Sequence, residues 1–86
     1  MGTPDSVDGV LAFNSAIATR ITQTLDIRGL SVSWLSRAAG IPNSTLDRAL
    51  DNPIELKLAQ TGKIAVALDV DYQWLMCGIP SMVVAA

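Results

Sequence analysis

Apolar positions recur at helical spacing from the start of the chain's first third. Val10, Phe13, Ile17, Ile21 and Leu25 follow one another every three or four residues, with Asn14, Thr19 and Gln23 mostly between them. That spacing marks one face of an α-helix. It predicts a long first helix over about 10–28, with Gly29 as its stop. Residues 1–9 carry no such pattern and are expected to be a disordered polar lead.

The next elements are shorter. Ser31 is placed to cap a second helix over about 32–39, because its hydroxyl can accept from a free amide of the first turn. Gly40 ends that helix. Pro42 tolerates a helix start, and a third helix is predicted over about 43–50. Asp51, Asn52 and Pro53 form a loop signal. Residues 54–57 are ambiguous, since Ile54, Leu56 and Leu58 alternate. A fourth helix is clear from Ala59 to Leu68, with Thr61, Ile64, Ala65 and Leu68 on its inner face and Gly62 allowing a close helix approach. Asp71 caps a fifth helix over 72–77, closed by Gly78 and Pro80, and residues 81–86 are an apolar tail. The expectation is an all-α domain of five helices over residues 10–80.

Composition narrows the function. A chain of 86 residues suits one domain, and half of its residues are apolar, which supplies a modest core. No stretch reaches the roughly 18 to 20 apolar residues of a membrane helix, and the N-terminus lacks the basic start of a secretory signal. The single cysteine, Cys77, cannot form an internal disulfide, which fits a reducing cytoplasm. Without histidine there is no imidazole metal site and no Ser-His or Cys-His nucleophile pair. A Gly-rich phosphate loop is also missing. The expectation is therefore a cytoplasmic binding protein, not an enzyme, with no cofactor and no metal.

The second and third helices carry the functional signal. Two short helices joined by about three residues with a glycine suit a helix-turn-helix. The close crossing needs small residues, which Ser36 and Ala39 supply, and the turn needs Gly40. Leu35, Ile41, Leu46 and Ala49 sit where they can lock the pair. An ordinary helical hairpin would satisfy the same pattern. Residues 30–50, LSVSWLSRAAGIPNSTLDRAL, resemble the helix-turn-helix of the Cro and lambda-repressor family in Leu35-Ser36, Ala39-Gly40-Ile41, Ser44-Thr45-Leu46 and Arg48. Residues 63–70 resemble the family's fourth helix, and residues 71–78 with Trp74 and Leu75 resemble the closing helix of many phage repressors.

The resemblance implies a transcriptional regulator whose third helix lies in the major groove of operator DNA. By position, Asn43 stands where a Gln commonly reads adenine, and Asn can make the same bidentate contact. Ser44 and Thr45 would reach bases or phosphate, Arg48 guanine or the backbone, and Asp47 cytosine. Phosphate contacts are expected from Ser31 and Ser33 at the start of the second helix, and from Arg37, Asn52, Lys57 and Lys63. Two departures matter. Val32 stands where the family often has a Gln that braces the third helix, and Ser36 replaces the usual Ala.

Charge cuts the other way. The net charge is −2, which opposes strong binding to a polyanion. Five of the six basic residues (Arg28, Arg37, Arg48, Lys57, Lys63) nevertheless lie between 28 and 63, against three acidic ones (Asp47, Asp51, Glu55). A second reading keeps the fold but makes it a protein-binding module, an antirepressor or immunity partner. Val32, Asp47 and the acidic balance favour it. A regulator of this kind would bind as a homodimer on paired half-sites. Tyr72, Trp74 and Met76 of the fifth helix and Met82, Val83 and Val84 of the tail are the candidate self-association residues. Trp34 is expected either under the first helix or exposed beside the DNA.

Overall fold

Wherever the apolar repeat is continuous, the chain is helical. The computed structural model describes residues 6–78. They form α1 (Ser6–Arg28), α2 (Val32–Ala39), α3 (Asn43–Asp51), a 3-10 turn η1 (Pro53–Glu55), α4 (Leu58–Leu68) and α5 (Tyr72–Cys77), with no strand among the described residues. Among the described residues the architecture is all-α, with five α-helices. α1 lies across η1, α3 and α5, while α2 packs on α3 and α4, and α4 packs on α5.

One core joins them. Ile17, Ile21 and Leu25 of α1 meet Leu35 of α2, Ile41 of the following turn, Leu46 and Ala49 of α3, Leu56 just after η1, Ile64, Ala65 and Leu68 of α4, and Leu75 of α5. Burying each Ile or Leu side chain contributes about 1.5–3 kcal/mol. Thr61 is buried with its expected neighbours on α4. Trp34, Trp74 and Met76 are half-buried against this core, so Trp34 is neither fully inside nor free.

Two arginines of α1 finish other helices. Arg20 Nη1 donates to the carbonyl of Leu75 at 2.9 Å, at the end of α5. Arg28 Nη1 donates to the carbonyl of Leu68, the last residue of α4. Cations at helix C-termini satisfy orphan carbonyls and complement the helix dipole. Gly78 closes α5 beside the first of them in the left-handed conformation, φ 74°, which glycine reaches without a Cβ penalty.

Several expectations change. α1 begins at Ser6, so residues 6–9 are helical and only 1–5 of the expected disordered lead lie outside the described residues. No proline interrupts residues 6–9, and Gly9 costs only about 1 kcal/mol within a helix. The inner face of α1 starts later than its apolar repeat. Val10 and Phe13 are 47% and 46% exposed, because the first turns of α1 overhang the body. Asn14 is buried instead. Its carboxamide donates to the carbonyls of Pro53 at 2.9 Å and Leu56 at 3.2 Å, so α1 is bolted to η1 through a polar residue. The ambiguous 54–57 stretch is the 3-10 turn, and its alternation is broken: Leu56 is buried and Leu58 is 68% exposed. Gly62 does not serve a close helix approach, since a Cβ there would meet nothing within 4 Å.

Candidate nucleic-acid interface

α2 is closed at both ends by its own residues. Ser31 Oγ accepts from the Trp34 amide at 3.0 Å, as the capping rule predicts. Gly40 adopts φ 70°, the left-handed conformation that glycine reaches without a Cβ penalty. The Ser36 carbonyl accepts from the amides of Gly40 and Ile41, and the Ser36 hydroxyl donates to the Ile41 carbonyl at 2.6 Å. Ser36 and Ile41 thus hold each other in both directions. The hydroxyl at the helix crossing is a clasp for the turn, a role that the small-residue rule does not reveal.

α3 is held from behind and open in front. Leu46 and Ala49 are buried, whereas Asn43, Ser44, Thr45, Asp47 and Arg48 are all exposed. The cap position is Pro42, and no side chain caps the helix. Asn43 and Ser44 are therefore not used as caps. The first backbone bond of α3 runs from the Leu46 amide to the Pro42 carbonyl at 2.9 Å. The amides of Asn43, Ser44 and Thr45 precede it and lie at the positive end of the helix. Two acids oppose the one cation of α3: Asp47 and Asp51 against Arg48.

An open cleft of about 510 Å³ lies on the flank of α3, lined by Thr45, Arg48, Ile54, Glu55, Lys57 and Gln60. It brings together three of the sequence-predicted residues, Thr45, Arg48 and Lys57. Gln60 was not foreseen. Its Oε1 accepts from the Lys57 amide at 2.9 Å, one half of a capping box, and the lysine four-carbon stem leaves the cationic head outside that bond. The signal for it was a Gln three residues after the position that precedes α4, the spacing of a capping box. Asn52 is turned away from its expected use, because its Nδ2 donates to Glu55 Oε2 at 3.1 Å. Ser31, Ser33, Arg37 and Lys63 are exposed as expected but do not line the cleft. Arg28, counted among the nearby cations, is committed to the end of α4.

Of the self-association residues, Tyr72 is 42% exposed, with its hydroxyl 3.3 Å from Thr61 Oγ1. Trp74 and Met76 contribute part of their surface to the core. Met82, Val83 and Val84 lie outside the described residues. Among the described residues no helix is long and apolar enough to cross a membrane. No protein-family model, curated protein or solved structure matches the chain.

Proposed function

We propose that this chain is a sequence-specific, DNA-binding transcriptional regulator with a lambda-repressor-like helix-turn-helix formed by α2 and α3. The observation that carries the reading is the finish of α3. Its first turn exposes Asn43, Ser44 and Thr45 on a helix start that no side chain caps, while Leu46 and Ala49 anchor it from behind. A helix offered in this way can enter the major groove with its N-terminal residues toward base edges. Asn43 would pair with adenine, Ser44 and Thr45 would reach bases or phosphate beside it, and one turn later Asp47 would accept from cytosine and Arg48 would contact guanine or the backbone. Ser31 and Ser33 sit at the start of α2, where the amides ahead of the capped Trp34 amide favour a phosphate. Transcription would be blocked sterically by a homodimer covering two half-sites.

One observation favours the alternative, a protein-binding module with little DNA affinity. Asp47 and Asp51 stand on the same exposed side of α3 and would repel phosphate. The two readings separate in a binding experiment. Duplexes enriched from a random pool by the purified protein are compared with scrambled duplexes by fluorescence anisotropy. The regulator reading expects a preferred duplex, and Asn43→Ala should reduce the preference by about 1–3 kcal/mol. Failure to enrich any sequence, in a protein shown by circular dichroism to be folded, sinks it.

A further inference from the structure

The cleft beside α3 is rich in donors that the fold itself does not use. Arg48 of α3 and Lys57, the residue that precedes α4, both line it, and neither cationic head is engaged by another described residue. Gln60 gives its oxygen to the Lys57 amide, which leaves its NH2 group as a donor. Thr45 adds a hydroxyl one turn before Arg48. One carboxylate, Glu55, also lines the cleft, and its Oε2 accepts from Asn52 Nδ2 at 3.1 Å. Both cations line the same open cleft, and against the single carboxylate of Glu55 they leave its lining with one net positive charge, which attracts an anion.

We propose that this cleft seats one backbone phosphodiester of bound DNA, gripped by Arg48 and Lys57 with Thr45 and Gln60 as further donors, so that Arg48 grips and does not read. The inference rests on the regulator reading and sharpens it. The geometry explains the division of labour. Asn43 and Ser44 are at the tip of α3, whereas Thr45 and Arg48 share the flank that meets η1 and α4. A helix about 10–12 Å across fills a major groove about 12 Å wide, so its flank lies against the phosphate walls. A diester carries one negative charge and two free oxygens, one for each cation. Asn52 is occupied with Glu55, so the grip passes from the loop to the flank of α3 and the start of α4. Glu55 lies in the same seat and weakens it.

The test is the salt dependence of binding to preferred and scrambled duplexes for the full chain, Arg48→Ala, Lys57→Ala and the double variant. All substituted side chains are exposed, and circular dichroism checks their folding. Each phosphate neutralised contributes about 0.9 to the slope of log affinity against log salt. The double variant should bind both duplexes more weakly by at least about tenfold, the minimum for loss of one charged hydrogen bond. Its slope should be shallower by about 0.9 in total, because both cations serve one phosphate. Glu55→Gln should tighten both duplexes alike. A change in the ratio of the two affinities on Arg48→Ala makes Arg48 a base reader and overturns the seat while leaving the regulator reading intact. So does a slope loss near 1.8, which means two separate phosphates. Inorganic phosphate at constant ionic strength should not displace the duplex, and displacement would assign the cleft to free phosphate instead. If the unsubstituted chain binds neither duplex, the regulator reading itself fails and the seat with it.

Discussion

α2 and α3 follow each other in the chain, are 8 and 9 residues long, and pack together, yet they are finished in opposite ways. α2 has a side-chain cap at its start, a left-handed glycine at its end and a buried serine clasped to the turn. α3 has none of these. It starts at a proline, ends without a side-chain cap, and presents polar side chains outward. Helices this short are marginal alone, so α3 must take its stability from the surfaces behind it. The contrast teaches a division: α2 holds the pair in place, and α3 is left free to offer its front to something else.

The largest expected effects test that dependence. Leu35 is fully buried between α2 and its neighbours, and Leu35→Ala should destabilise the chain by about 2–5 kcal/mol. If α3 leans on α2, urea denaturation should show both helices lost in one transition. A loss under about 1 kcal/mol would mean that α2 is not the support, given the usual cost of such a cavity. The clasp comes next. Ser36→Ala removes the donor to the Ile41 carbonyl, and stability should fall by about 1–3 kcal/mol if that carbonyl is left unpaired. An unchanged denaturation midpoint would show that the turn does not need the hydroxyl.

The same contrast explains what could be seen in the sequence. Thr61, Ile64, Ala65 and Leu68 of α4 were legible because a 3.6-residue repeat assigns a face wherever a neighbour covers the whole helix, and Leu35, Ile41, Leu46 and Ala49 because two short helices around a glycine turn must be locked by apolar residues at those places. The repeat could not show where the cover stops. Val10 and Phe13 continue the stripe of Ile17 and Ile21, but the described residues leave them about half exposed. Asn14 looked like an outer residue, and its burial depends on two carbonyls brought by η1, some forty positions away. Ser36 appeared only as a small residue at a crossing, since the direction of its hydroxyl is set by the turn. The exposed front of α3 was legible from its polar residues. The cleft on its flank was not, because it needs the 3-10 turn that places Glu55 and Lys57 beside Arg48, and residues 54–57 carried no clear period.

The smallest effect divides the two helices most sharply, because it compares polar residues near equivalent helix starts. Ser31→Ala removes a hydrogen bond to the Trp34 amide and should cost about 1 kcal/mol of stability. Asn43→Ala removes no cap, since none is made at the start of α3, and should change stability by no more than about 0.5 kcal/mol. Chemical denaturation of the two variants side by side measures the difference. A cost at Asn43 equal to that at Ser31 would mean that Asn43 serves the fold, and α3 would lose its claim to an unencumbered front. A neutral Asn43 whose removal still abolishes sequence preference would separate the two jobs cleanly, with stability residing in α2 and recognition in α3.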